Sequence, residues 1–318
     1  MSQRKAIVGA LAVLTIMLAV LIYLYLTLIR PPQLTQRADP QAGIRHVFTI
    51  YGYGDKAEEL FDKPHGVAVD NEGNVYVTDT NNHRVLVFDE RGRFIKKIGK
   101  AGSGEGELRH PLGIDVADNG DIYVVSRELN KVVVLDRRGK LKREMEAANP
   151  LQVRVLEDEV LVVTASEVLF YDLKGKGLRR WGSLGSAEGE IDFPGGLYVD
   201  SKGVVYVSDS NNKRIQAFNK KNGELLWASD KQVSFGLPES IVGDEEGRLF
   251  VMDAFHMTIK VLRAKDGKKL VELGDQGQAD GEFYYPSGLD YAGDGFFYVA
   301  DKFNHRVQKV RITPPALR

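Results

Sequence analysis

Six prolines, at positions 64, 111, 150, 194, 238 and 286, stand 39 to 48 residues apart, and the sequence around them repeats. Four carry a similar frame: "KPHGVAVD" from Lys63, "HPLGIDVAD" from His110, "FPGGLYVD" from Phe193 and "YPSGLDYA" from Tyr285. "NPLQVRVLE" from Asn149 and "LPESIVGD" from Leu237 are weaker copies. A period of this length constrains the fold more than any other feature, because each unit has to bury its apolar face against the next copy of itself.

Each anchor is followed by a Gly, Asn or acidic turn and an alternating apolar run: "NVYVTD", "DIYVVS", "EVLVVT", "VVYVSD", "RLFVMD" and "FFYVAD". A polar loop leads to a third run, such as "RVLVFD", and a turn to a fourth, such as "RFIKKIG". Apolar residues at every second position, punctuated by Gly and Asn, predict strands. Four strands per period is the pattern of a propeller blade. The sixth unit ends at "RVQKVRITPPALR" without a fourth strand, whereas "IRHVFTIYG" at 44–52 has the form of one and precedes the first anchor. The expected fold is therefore all-β: a six-bladed β-propeller over 44–313, its last blade completed by the N-terminal strand, which removes the exposed edges of an open array. Residues 314–318 form a short tail.

Before the repeats, Ala6 to Ile29 run for 24 residues without a charge. As a helix they reach about 36 Å, enough to cross a bilayer core of roughly 30 Å. The run is too long for a cleaved signal peptide and is followed by Arg30-Pro31-Pro32, with no small-residue cleavage site. A single-pass signal-anchor helix over 6–29 is expected, after a short basic tail at 1–5 and before a Pro-containing linker at 30–43. Arg4 and Lys5 against Arg30 and Arg37 leave the positive-inside count almost tied. A very short basic tail favours a cytoplasmic N-terminus and a propeller outside the cytoplasm. Residues 30–318 carry 41 basic against 44 acidic side chains, a balance that argues against a nucleic-acid partner. With no cysteine there are no disulfides, thiolate chemistry or Cys-ligated metal sites.

The frame Gly-x-x-Gly-x-x-x-Gly-Glu-(Leu/Phe)-x-x-Pro-x-Gly, followed by a Tyr-Val-x-Asp strand and Asn-x-Arg-(Val/Ile), resembles the NHL repeat. "GKAGSGEGELRHPLGI", "GSLGSAEGEIDFPGGL" and "GDQGQADGEFYYPSGL" carry its first part. Asp79/Asn82/Arg84, Asp209/Asn212/Arg214 and Asp301/Asn304/Arg306 carry its last. Blade three departs from it, with Thr164 in the Asp slot and no Asn-x-Arg; blade five has Asp253 but His256 and Thr258 in the other two slots. The resemblance implies the propeller fold and leaves function open, since such proteins include binding modules, scaffolds and a few enzymes.

The recurring Asp, Asn and Arg read as blade-builders, because a set repeated around a ring specifies geometry. The Gly-rich stretches lack the Lys-Ser/Thr and the following helix of a phosphate loop, and read as interblade connections. Inner strands run from the top face down, so the residues before each proline and the Asp-x-x-Asn-x-Arg loops share the top face. Five histidines, 65, 83, 110, 256 and 305, fall in those segments, and only His46 in a strand. The resemblance extends to a zinc lyase that cleaves peptidyl-α-hydroxyglycine, whose channel-facing slots correspond here to His65, Leu112, Leu151, Gly195, Glu239 and Ser287. Only His65 matches a zinc ligand, with Glu239 as an acidic companion, so no cofactor is expected; zinc or calcium is the ion these two would hold. The binding face is expected to draw on His65, Arg84, Arg214, Glu239, His256, Ser287, His305 and Arg306 for a protein, peptide or glycan partner. The enzymatic alternative is a metal-dependent lyase or a lactonase-type hydrolase using the central channel.

Overall fold

The computed structural model describes residues 42–317; the segment 6–29, the linker up to residue 41 and Arg318 lie outside them. Among the described residues no helix is long and apolar enough to cross a membrane.

Six four-stranded antiparallel sheets follow one another along the chain. Blade one is Pro64–Val69, Val75–Asp79, Arg84–Phe88 and Phe94–Ile98, counted outward from the axis. The strand runs read from the sequence reappear in this order in blades two to five. Blade six places Gly43–Ile50 outside Arg306–Thr313, with Ile44 opposite Ile312 and Ile50 opposite Val307. The expected closing strand is thus present, starting one residue earlier, at Gly43. It is antiparallel to a strand that runs down from the top, so it begins at the bottom face.

Packing explains why the ring is the stable form. Each of six cores lies between two blades rather than within one. Ala68, Tyr76 and Val85 of blade one, for example, pack with Ile114, Ile122 and Val133 of blade two. The core across the seam joins Ile50, Tyr298 and Val307 to Val67, Val77 and Phe88. A register break at Val47, between His46 and Phe48, lets both ends of the closing strand contribute: Ile44 packs toward blade five and Phe48 toward blade one.

Around the axis the inner strands approach closely. A Cβ on Gly66 would stand 2.4 Å from the Leu112 carbonyl oxygen, and one on Gly288 would stand 2.3 Å from that of His65. The Gly of the Pro-x-Gly anchor is required by this approach, not by an unusual φ.

Candidate functional site

The repeated polar residues build the top corners. In blade one, Asp79 Oδ1 accepts the Asp62 N–H at 2.7 Å, while Oδ2 accepts Asn82 Nδ2 at 2.9 Å and Arg84 Nε at 2.7 Å. The rest of the Arg84 guanidinium donates to the carbonyls of Glu58 and Leu60. Arg214 and Arg306 repeat this, reaching the Ala187 and Glu190 carbonyls and the Ala279 and Glu282 carbonyls respectively. The Glu of each Gly-Glu pair folds back on its loop: Glu107 accepts the Gly104 N–H and Glu190 the Ala187 N–H. Arg84, Arg214 and Arg306 are therefore committed to holding interblade loops, and offer little to a partner.

Blade five solves the same corner differently. Burial pushes the Asp253 carboxyl up, but His256 and Lys260 more than offset it and hold the group well below the usual carboxylate range. Lys260 Nζ lies 2.6 Å from Asp253 and 3.2 Å from Glu272 and is almost wholly buried. It occupies the place of Gln216 and Gln308, whose amides reach Asp209 and Asp301 in blades four and six. His256 Nδ1 sits 2.9 Å from Asp253, so it joins this network from the exposed side.

The other histidines divide. His65 lies in the inner strand Pro64–Val69, contrary to the expectation that only His46 is in a strand. His83 and His305 are not idle surface residues. Both adopt left-handed backbone, and their Nδ1 atoms stand 3.0 Å from the His110 N–H and 3.4 Å from the Lys63 N–H of the next blade. Asn130 Oδ1 accepts the Asn149 N–H in the same way at 2.9 Å. One signal for this was available: all three precede the third strand at the same point of the repeat.

His65 and Glu239 share the axial ring two blades apart, separated by Ser287 of blade six. Burial lowers the His65 imidazole well below its usual value, and Lys302, His110 and Arg127 lower it further. Burial pushes Glu239 up to about 7 against the opposing pull of Lys302. His65 Nδ1 is buried without a hydrogen-bond partner. The Ser287 hydroxyl donates to the His65 carbonyl at 3.0 Å. Among the described residues no three His, Asp or Glu side chains converge as metal ligands, so this ring does not fit the zinc set of the lyase. Deeper on the axis, a cavity of about 20 Å³ is lined by Gln152, Arg154, Ser240 and Asp290, among others. It is room for about one water.

An exposed aromatic cluster was not foreseen. Phe255 and Phe303 are 54% and 43% exposed. They stand two residues after the corner Asp, where blades one and four carry Asn81 and Asn211. The Tyr285 ring lies 5.9 Å from Phe255 and 5.4 Å from Phe303, and Tyr284 lies 6.2 Å from Phe303. Lys63 Nζ sits over the Phe303 ring at 5.2 Å, and Lys302 at 5.9 Å. Lys302 thus joins the aromatic cluster to the Glu239 side of the mouth. The legible signal was an apolar residue breaking a polar template twice in succession.

Comparison with known proteins agrees with this architecture. Residues 56–149 match a family described as a 6-bladed beta-propeller. Residues 192–218 and 283–310 match the NHL repeat. The Drosophila melanogaster protein brain tumor is 26% identical over 194 residues, 59% of this chain and 15% of that protein. Mouse NHL repeat-containing protein 3 is 24% identical over 135 residues, 40% of this chain and 37% of that one. The chain thus spans well under two thirds of these relatives. Among solved structures, a gluconolactonase from Xanthomonas campestris aligns with TM-score 0.63 at 15% identity, covering 85% of this chain and 95% of that one. A streptogramin B lyase aligns with TM-score 0.61 at 14% identity, covering 80% and 94%. At such identity these two share the fold alone. The chain carries NHL repeats at 192–218 and 283–310 and is built as a six-bladed β-propeller.

Proposed function

We propose that the protein is a membrane-anchored, extracytoplasmic binding or scaffold module whose top face, over blades five and six, takes a protein, peptide or glycan partner. The observation that carries this reading is the exposed cluster of Phe255, Phe303 and Tyr285 beside Lys63 and Lys302. Clustered exposed aromatics on a rigid face are the usual anchors of a recognition surface. His65, Glu239, His256, Ser287 and His305 surround this face or support it. The test is affinity capture from native membranes with wild type and with Phe255→Asn/Phe303→Asn. A specific co-purifying molecule lost in the variant supports the reading; unchanged capture contradicts it.

In this reading residues 6–29 span the membrane with the N-terminus cytoplasmic and the propeller outside the cytoplasm. The uncharged stretch supports it. Because the chain has no cysteine, single-cysteine variants report cleanly. Labelling of cysteine at Asn81 by an impermeant reagent in intact cells is expected, and protection there contradicts the orientation.

A second reading rests on Glu239. A carboxyl titrating at about 7 at the channel mouth is suited to proton transfer in a lactonase-type or lyase reaction. Hydrolysis or elimination lost in Glu239→Gln, with an unchanged melting profile at acid pH, would favour it.

A further inference from the structure

Near its bottom end the closing ladder sets two arginines opposite each other. Arg45 and Arg311 are direct cross-strand partners, and both are exposed. Like charges in that position destabilise a sheet. Blade five contains the same pair, Arg248 opposite Arg263. There the charge is neutralised: Arg248 pairs with Asp244 at 2.6 Å and Glu246 at 2.9 Å, and Arg263 with Asp266 at 2.7 Å. Among the described residues no carboxylate forms an ion pair with Arg45 or Arg311; Glu90, near Lys309 of the same strand, pairs with Arg91. Arg311 instead lies over the Phe296 ring at 5.4 Å. Both arginines line an open cavity of about 300 Å³ with Gly43, Ile44 and Thr313, none of which is acidic.

We propose that this end of the seam is an anion site for the phosphate of a phospholipid headgroup. Two arginines set opposite each other by a β-ladder can bring forked N–H donors to phosphate oxygens, a match that ammonium groups lack. A phosphate there would also supply the countercharge that three carboxylates provide in blade five. The choice of a lipid over a free anion rests on the anchor reading: Gly43 follows Ile29, the last residue of the apolar stretch, by fourteen positions. That length reaches about 50 Å at most when extended.

All six sheets, the interblade cores and the closing ladder lie within residues 42–317, so the propeller without the first 41 residues is suitable for the test. Flotation with phosphatidylglycerol vesicles is compared for this propeller, for Arg45→Gln/Arg311→Gln, and for Arg91→Gln/Arg93→Gln, which removes equal charge from a neighbouring bottom turn. The wild type is expected to float, the first variant to bind at least about tenfold more weakly, and the second to float like wild type. The first variant should melt at or above the wild-type temperature, since a like-charge contact is relieved. Equal weakening in both variants, or no flotation of wild type, overturns the proposal. Stabilisation by inorganic phosphate without flotation overturns the lipid assignment. Alkaline extraction of membranes carrying the full chain tests the anchor separately: release there sinks the anchor reading whatever the vesicles show.

Discussion

The top corners of blades one and six share one backbone and differ at their tips. Both hold an Asp–Asn–Arg staple, Asp79/Asn82/Arg84 and Asp301/Asn304/Arg306, with nearly the same distances. Two residues after the Asp, blade one exposes Asn81 and blade six Phe303. The staple carries the fold, so it recurs; the tip is free of that duty, so it can differ. Blade five extends the contrast, since it has both an aromatic tip, Phe255, and a staple rebuilt around Lys260. Departure from the repeat, rather than membership in it, marks the candidate face.

The largest expected effect breaks the rebuilt staple. Lys260→Gln, which installs the residue that blades four and six use, leaves Asp253 buried without its cation because Thr258 supplies no guanidinium. A loss of about 3–5 kcal/mol in denaturant unfolding is expected. Adding Thr258→Arg should recover much of it. The folded Asp253 carboxyl is depressed, so its contribution is complete above the ordinary carboxylate range and lost as pH falls through the lower folded value. The deficit of Lys260→Gln should therefore shrink on acidification below about pH 4.

The next effect separates tip from staple. Phe255→Asn/Phe303→Asn should weaken partner binding by about tenfold or more, with stability within about 0.5 kcal/mol of wild type. Arg306→Ala should do the reverse, costing stability because buried Asp301 loses its guanidinium, the Gln278 carbonyl loses its donor, and the Ala279 and Glu282 carbonyls keep only the Glu282 N–H and the Gln308 amide.

Glu239 gives a smaller, pH-dependent effect. Its folded value of about 7 lies above the unfolded one, so folded protein binds the extra proton and stability falls as pH rises from about 4.5 to 7. Glu239→Gln should stabilise the propeller by about 1–3 kcal/mol at pH 8 and by little at pH 4. Equal effects at both would show that the carboxyl is not desolvated. The smallest effect is His83→Ala, which removes one interblade acceptor and should cost about 1 kcal/mol.

The fold was legible because its determinants repeat: the proline spacing, the period-2 runs and the missing sixth outer strand all report one geometry. The candidate site was less so. Arg84, Arg214 and Arg306 read as blade-builders and were also named for the binding face; that their donors are taken up follows only from the carbonyls they bind, more than twenty residues away. The aromatic cluster joins Phe255, Tyr285 and Phe303 from separate turns of two blades, and single positions do not announce such convergence. His65 and Glu239 were visible as breaks in the axial ring, whereas their desolvation follows from how closely the glycine-bearing strands approach the axis.

A photo-crosslinking amino acid placed at position 303 or at position 81 of the full chain, in native membranes, decides whether the face over blades five and six is the recognition surface. A discrete adduct from position 303, absent from position 81, is the predicted result. Equal adducts from both positions, or none from 303 while the bottom turns cross-link, would contradict it.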